Sequence, residues 1–135
     1  MTIVLRDYPP MAQDFMNREH EAFALLLNTA EQALLMGEPA LPHLQALYEH
    51  SVHHFAHEEE EMQRYHFPPY PVHKAEHERV LGLFREHLTN FEATGDVTPV
   101  LEFLLETVPD WFGQHLKTMD RVTAQYLFQQ KGDAA

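Results

Sequence analysis

The stretch that decides the fold is His54-Phe55-Ala56-His57-Glu58-Glu59-Glu60-Glu61-Met62. His54 and Glu58 are four residues apart, so in a helix their side chains lie on the same face. If that face is buried, the carboxylate needs a compensating charge, because burial without a partner costs ~2 to 7 kcal/mol even for uncharged polar groups. A metal ion would supply this charge. The stretch therefore predicts a helix that carries two metal ligands.

Three other segments carry residues of the same kinds. His73 and His77 form a second pair with a spacing of four, and His20 stands alone nearer the N-terminus. His115 is followed five positions later by Asp120, which is about 140° around an ideal helix with 3.6 residues per turn. Helical periodicity therefore pairs the first two histidines, whereas it does not by itself pair His115 with Asp120.

The composition excludes several classes of protein. A length of 135 residues is typical of one domain with its own core, so we expect residues 1–135 to form one domain. The sequence has no cysteine, which excludes thiolate metal sites, disulfides and cysteine nucleophiles. A net charge of -12 disfavours binding to nucleic acids and to anionic lipids. We predict that neither is a partner.

The N-terminal sequence and the hydropathy pattern suggest a cytoplasmic protein. Charged residues appear at Arg6 and Asp7, too early for a secretory signal. No apolar run approaches the ~20 residues that a membrane-spanning helix needs.

Helical periodicity predicts four helices after a short N-terminal arm that runs through Pro9 and Pro10. The first helix ends at Gly37, and the second begins with Pro42 in its first turn and runs to about Tyr65. Residues 66–71 are predicted to break the helical pattern between the second and third helices. Because the connection is short, we expect the next helix to be antiparallel, with His77 at about the depth of Glu58.

The third helix is predicted to end near residues 93–96, and Thr98 and Pro99 are predicted as the N-cap and first residue of the fourth. Pro109 is expected to kink or split this last helix. The residues predicted to face inward on it are Leu101, Leu104, Leu105, Val108, Trp111, Phe112, His115, Met119 and Val122. The predicted fold is all-α, an up-down-up-down antiparallel four-helix bundle.

The order of these residues resembles the hemerythrin family, specifically its bacterial single-domain members. The resemblance covers nearly the whole chain and depends on His20, His54-Phe55-x-x-Glu58-Glu59-x-x-Met62, His73-x-x-x-His77 and Trp111-x-x-x-His115-x-x-x-x-Asp120. It implies a buried di-iron site with two non-heme iron ions and an oxo or hydroxo bridge between them.

The resemblance also implies a role for each ligand. One iron would be held by His73, His77 and His115, and the other by His20 and His54. Glu58 and Asp120 would bridge the two irons, and dioxygen would bind at the open position of the iron with fewer ligands. Four aromatic residues flank these ligands and are expected to fill the core and line the cofactor pocket: Phe23, Phe55, Trp111 and Phe112.

The function expected from this resemblance is reversible dioxygen binding for carriage, storage or sensing. The alternatives are a di-iron redox enzyme that reduces peroxide or nitric oxide, an iron donor, and a metal buffer. A ferritin-like site is disfavoured because no histidine has a glutamate three residues before it. A zinc hydrolase is disfavoured because His-Glu-x-x-His does not occur.

Several residues near the motif are open to interpretation. Asn17 stands where relatives of this family often have an aspartate that would support His20, and Phe112 stands where they tend to have an aliphatic residue. The three residues Glu59, Glu60 and Glu61 are predicted to form a solvated face. The histidines outside the motif are predicted to have no metal role: His43, His50, His53, His57, His66 and His87. Among these, His50 could instead support His54 from one turn away.

Overall fold

Four long helices with short connections make up most of the computed structural model, which describes residues 3–132. α1 is Asp14–Leu35, α2 is Leu41–Arg64 and α3 is Tyr70–Thr94. α4 is a continuous helical run of five segments: Val97–Glu102, Phe103–Thr107, Val108–His115, Leu116–Asp120 and Arg121–Lys131. A short 3₁₀ turn, Leu5–Asp7, precedes α1, and residues 3–132 contain no strand. The predicted four-helix fold is confirmed.

Proline and glycine residues mark the helix ends much as the sequence predicts. Pro42 lies in the first turn of α2. Gly37 and Gly95 follow the ends of α1 and α3, and both have a φ of 68°. A positive φ costs glycine little because it has no Cβ atom. α3 already begins at Tyr70, so the connection between α2 and α3 is shorter than the predicted segment 66–71.

The predicted cap of α4 is wrong by two residues. The Asp96 carboxylate accepts a hydrogen bond from the Thr98 N–H at 3.2 Å, and the helix begins at Val97. Asp96 is therefore the N-cap, and Pro99 lies within the first turn. Backbone N–H groups there have no acceptor within the helix, so the missing N–H of proline costs no helical hydrogen bond.

α4 contains two π-helical turns, Phe103–Thr107 and Leu116–Asp120. In each, backbone hydrogen bonds span five residues instead of four, as from the Val108 N–H to the Phe103 carbonyl. The first π turn ends at Thr107, two residues before Pro109, so the hydrogen-bond pattern shifts close to the point where the proline cannot donate. The helix continues through this point, and the predicted split does not occur.

The π turns also change which residues of α4 face the core. Leu105 and Val122, predicted to face inward, are 38% and 53% exposed. Each π turn adds one residue to the helix, so a constant period of 3.6 loses its register beyond it. The buried apolar residues of α4 are Val100, Phe103, Leu104, Val108, Phe112, Leu116, Ala124 and Leu127.

Two asparagines of α1 hold the N-terminal arm against the bundle. The Asn28 side chain accepts from the Ile3 N–H at 3.2 Å and donates to the Ile3 carbonyl at 2.9 Å. The Asn17 side chain pairs in the same way with the N–H and carbonyl of Met11, at 2.7 and 2.8 Å. Ile3 and Met11 are both buried. The arm is therefore clamped at Ile3 and at Met11. The side-chain amide of Asn17 forms the hydrogen bonds to Met11.

No helix in the described part of the chain is both long enough and apolar enough to cross a membrane.

Candidate metal centre

All four helices contribute to one buried cluster of histidines and carboxylates in the bundle interior. It contains the seven residues that the sequence singles out as ligands: His20 from α1, His54 and Glu58 from α2, His73 and His77 from α3, and His115 and Asp120 from α4. They form two groups that share both carboxylates, and within each group the candidate ligand atoms lie within 4.8 Å of one another.

The first group joins three imidazoles to one oxygen of each carboxylate. His77 Nε2 lies 3.3 Å from Glu58 Oε1. His73 Nε2 and His115 Nε2 lie 3.1 and 3.0 Å from Asp120 Oδ1. The i, i+4 pair on α3 is thus brought to the same depth as Glu58, as the short connection between α2 and α3 predicts.

The second group joins two imidazoles to the other oxygen of each carboxylate. His54 Nε2 lies 2.9 Å from Glu58 Oε2, and His20 Nε2 lies 3.1 Å from Asp120 Oδ2. Glu58 and Asp120 therefore lie between the two groups and present one oxygen to each.

Buried polar atoms without partners show that the cluster fits a metal. Among the described residues, both carboxylate oxygens of Glu58 and Nε2 of His77 lack a partner in hydrogen-bond geometry, although all three atoms are buried. Buried polar atoms are normally paired, so such atoms need an explanation. Imidazole and carboxylate are donors that suit iron and related divalent metals. Metal bound in the two groups would satisfy the three atoms, because Glu58 presents one oxygen to each group.

The electrostatics of the metal-free cluster favour charged side chains. Burial lowers the pKa of His54, but the Glu58 carboxylate and a hydrogen bond to Glu19 outweigh this and raise it to about 10. Burial likewise opposes the cation of His77, yet the nearby Glu58 carboxylate and a hydrogen bond to Glu59 raise its pKa to about 9. Protons on these imidazoles occupy nitrogens that a metal would use, so metal binding must release them.

The two carboxylates show the opposite shift. Burial raises the pKa of Glu58, as does repulsion from Asp120, but the His54 cation and the other imidazole close to the carboxylate, that of His77, lower it overall. Burial also opposes the Asp120 anion, yet His115 and the hydrogen bonds from His20 and His73 hold its pKa well below its ordinary value. Both carboxylates are therefore ionised and ready to bind a cation.

Two further glutamates orient candidate ligands from outside the cluster, and the sequence analysis missed both contacts. Glu59 accepts a hydrogen bond from His77 Nδ1 at 2.8 Å, and Glu19 accepts one from His54 Nδ1 at 2.7 Å. A histidine that donates from Nδ1 to a carboxylate keeps Nε2 free for a metal and becomes more basic. Each glutamate is next to a ligand in sequence, but it supports a ligand on a neighbouring helix.

The predicted solvated face of glutamates is therefore only partly correct. Glu60 is exposed, whereas Glu59 is half-buried against His77. Glu61 is buried and pairs with Lys131 near the end of α4 and with Arg64 at 3.0 Å. The three consecutive side chains point to different surroundings because successive residues are about 100° apart on a helix.

Thr123 supports a third ligand. Its hydroxyl donates to the Met119 carbonyl at 2.9 Å and accepts a hydrogen bond from His73 Nδ1 at 2.9 Å. Residue 123 follows the second π turn, so its inward position depends on that turn.

The four aromatic residues of the sequence prediction lie beside candidate ligands. Phe23, Phe55, Trp111 and Phe112 line a small cavity together with His20, His54, His115 and Asp120. The cavity has a volume of about 10 Å³, close to the room that one water-sized molecule needs. Phe55 stacks on His77, and Trp111 stacks on His115.

The histidines outside the motif belong to neither group of candidate ligands in the described part of the chain. Two of them contact Glu19: His57 Nδ1 lies 2.6 Å from its carboxylate, and His50 Nε2 lies 3.0 Å from its carbonyl oxygen. His50 also stacks parallel to His54 with 6.1 Å between ring centroids. His50 therefore borders the candidate ligand His54 without joining the cluster.

Comparison with known proteins agrees with this geometry. The family model described as Hemerythrin HHE cation binding domain matches residues 11–127. A bacteriohemerythrin of Ralstonia nicotianae is 36% identical over 115 residues, which cover 85% of this chain and 81% of that protein. One of Aquifex aeolicus is 33% identical over 115 residues, covering 84% and 88%. A myohemerythrin of Sipunculus nudus is 36% identical over 77 residues, or 57% of each chain.

No solved structure matches the chain significantly. The family match extends from the end of the N-terminal arm to the last segment of α4 and includes all seven residues of the buried cluster. This chain is thus a metal-binding member of the hemerythrin family.

Proposed function

We propose that this protein holds two non-heme iron ions with a solvent-derived oxo or hydroxo bridge and binds dioxygen reversibly. In this proposal His73, His77 and His115 hold one iron, and His20 and His54 hold the other. Glu58 and Asp120 bridge the two. We also propose that residues 1–135 act as one domain.

The observation that carries the proposal is the division of the carboxylate oxygens. Glu58 Oε1 and Asp120 Oδ1 lie beside the three-histidine group, while Glu58 Oε2 and Asp120 Oδ2 lie beside the two-histidine group. A single metal ion would not need two carboxylates placed between two sets of imidazoles. Two ions with shared carboxylates use every oxygen of the cluster.

The unequal number of histidines supports binding of a small molecule. The first group offers three nitrogens and two oxygens, and the second offers two nitrogens and two oxygens. An iron with fewer protein ligands keeps an open position, and open coordination is what allows a metal to bind a small ligand. Bound iron would supply both the electrons and this open position.

The residues around the two-histidine group restrict what can reach it. The aromatic rings of Phe23, Phe55 and Phe112 leave a cavity with room for about one small molecule beside His20 and His54. These apolar walls exclude bulk water and larger substrates. A histidine-rich centre with only two carboxylates also favours reversible binding over chemistry that requires high-valent iron. The names of the relatives, bacteriohemerythrin and myohemerythrin, agree with an oxygen-binding function.

The test is the metal content of the purified protein together with its visible spectrum in the reduced state, before and after air is admitted. We expect about two irons per chain and a new absorption band that disappears when oxygen is removed. Two irons per chain without a persistent oxygen-dependent absorption band in air would overturn reversible binding in favour of redox catalysis. Turnover with excess peroxide or nitric oxide would then reveal that activity. Zinc, or iron far below two per chain, would overturn the di-iron assignment in favour of a metal buffer.

A further inference from the structure

The N-terminal arm covers an open space that leads toward the candidate metal centre. This space, here called the vestibule, lies between the arm and α1 and has a volume of about 410 Å³. Its walls include Leu5 and Tyr8 of the arm, Asn17 and His20 of α1, and Leu116 of α4. The vestibule is far larger than the small aromatic cavity, and the ring of His20 borders both spaces.

One aromatic contact links the lining of the vestibule to the lining of the aromatic cavity. Tyr8 lines the vestibule and Phe112 lines the cavity, and their rings meet edge to face with 5.3 Å between centroids. Phe112 also stacks on Phe23 at 5.3 Å and meets His20 edge-on at 5.5 Å. Movement of Tyr8 away from Phe112 would therefore remove one of the three aromatic contacts that hold this ring at the edge of the cavity.

The position of Tyr8 depends on the arm, and the arm depends on its clamps. Asn17 pairs with both backbone groups of Met11, three residues beyond Tyr8, and Asn28 pairs with both groups of Ile3, five residues before it. Tyr8 thus lies on a short segment fixed at both ends by buried residues. Between these clamps, Leu5 and Tyr8 are only partly buried against the core, and such a segment opens more readily than a fully packed helix.

We propose that the vestibule is the entrance through which small uncharged ligands reach the centre, and that the Tyr8 ring controls their passage. The inference rests on the proposed function for the identity of the ligand, dioxygen, but the route itself is a property of the chain. The ring acts by its bulk, so its hydroxyl group is not required. Asn17 acts as a positioning residue because it holds the arm in place beside Tyr8.

The first test compares Tyr8→Ala with Tyr8→Phe in the iron-loaded protein. We expect the rate constants for association and dissociation of dioxygen to rise several-fold in Tyr8→Ala, with affinity changing less than either rate. Tyr8→Phe keeps the ring and should match the unchanged protein. Equal rates in all three proteins, at equal iron content, would overturn the inference.

The second test does not depend on iron. Trp111, the only tryptophan in the sequence, lines the aromatic cavity, so quenching of its fluorescence by dissolved oxygen reports gas entry in metal-free protein. We expect stronger quenching in Tyr8→Ala than in Tyr8→Phe. Quenching by acrylamide, which is too large for the cavity, measures the partly exposed outer edge of the indole and should be the same in both variants. Equal oxygen quenching would overturn the route.

Asn17→Ala tests the inference without changing any residue that touches the cavity. We expect the same direction of change in ligand rates and in oxygen quenching, with faster hydrogen exchange at the Met11 amide. Faster exchange at Met11 without any change in rates or quenching would overturn the role of the arm.

The two proposals fail in different ways. Loss of oxygen binding in the unchanged protein, combined with a difference in quenching between the Tyr8 variants, would reject the proposed function and keep the route.

Discussion

His115 and Asp120 are five residues apart on α4, yet Nε2 of His115 lies 3.0 Å from Oδ1 of Asp120. The π turn Leu116–Asp120 separates them, and its hydrogen bonds span five residues. It brings onto one face two side chains that an ideal α-helix would hold about 140° apart. Such single π turns within α-helices are rare and are frequently found at functional sites.

The π turn can be tested by deleting one of its residues. Removal of exposed Lys117 should convert the turn to α-helix, and His115 and Asp120 would then be four residues apart and still on one face, with Leu127 still in the core. The control is removal of exposed Gln125, which lies in a regular α-helical segment, so that every later residue rotates by about 100° and Leu127 leaves the core. We expect the free energy of unfolding in urea titrations to fall by about 3 kcal/mol or more on removal of Gln125, and by clearly less on removal of Lys117. An equal loss in the two deletion variants would contradict the view that the π turn holds one added residue.

The support of His77 by Glu59 should affect metal affinity. In Glu59→Ala the imidazole loses the acceptor for its Nδ1–H, so we expect iron affinity to fall roughly 10- to 100-fold in competition with a chelator. Glu60→Ala is the matched control because Glu60 is the next residue, carries the same charge and is exposed. A similar loss in both variants would mean that net charge, and not the contact to His77, determines affinity.

Removal of a candidate ligand should have a larger effect. We expect His77→Ala to lose most of its iron, since a ligand nitrogen is removed and Glu58 Oε1 loses its neighbour at 3.3 Å. His53→Ala, which removes an exposed histidine of α2, should retain iron. Metal analysis after purification under identical conditions measures both, and normal iron in His77→Ala would contradict the ligand assignment.

Phe112 should tune the ligand pocket without affecting metal content. Its ring contacts Phe23, His20 and Tyr8, so Phe112→Leu enlarges the cavity beside the two-histidine group. We expect altered oxygen affinity or faster autoxidation, with iron near two per chain and stability lower by about 1 kcal/mol. Stopped-flow and absorbance decay in air measure these quantities. Unchanged oxygen kinetics would show that Phe112 does not line the pocket.

The metal-free protein should lose stability at alkaline pH. The pKa values of His54 and His77 are raised from 6.5 to about 10 and about 9, so the stabilisation is fully present below pH 6.5 and is lost as pH rises through the folded values. Between pH 6.5 and 9 the expected slope is about 1.4 kcal/mol per pH unit for each histidine. Glu58 and Asp120 have lowered pKa values, so their contribution is present above the ordinary carboxylate range and is lost as pH falls below it.

Urea titrations of metal-free and iron-loaded protein between pH 6 and 10 check this prediction. The alkaline loss should be absent from the loaded protein, in which the imidazoles bind metal instead of protons. Uptake of iron at pH 7 should release protons into a weakly buffered solution. A metal-free protein with constant stability across this range would contradict the raised pKa values.

Local periodicity was sufficient where a helix is regular. Two pairs of candidate ligands are four residues apart on unbroken α-helices: His54 with Glu58, and His73 with His77. The common face of each pair therefore followed from the sequence. The four-helix fold and the prolines in first turns also followed from it. The family pattern added His20, His115 and Asp120 to the same cluster, and the structure brings all seven together. Periodicity failed on α4, because the π turns change the number of residues per turn and no residue type marks where they occur.

The sequence by itself thus determined the helices, their order, and the residue types that can bind a metal, because these depend on contacts within one turn or on short connections. Only the tertiary structure decided that Glu19 and Glu59 support candidate ligands on neighbouring helices. It also decided how Glu58 and Asp120 divide their oxygens between two groups of histidines. These relationships depend on the rotation and depth of helices packed against one another, which local patterns do not encode.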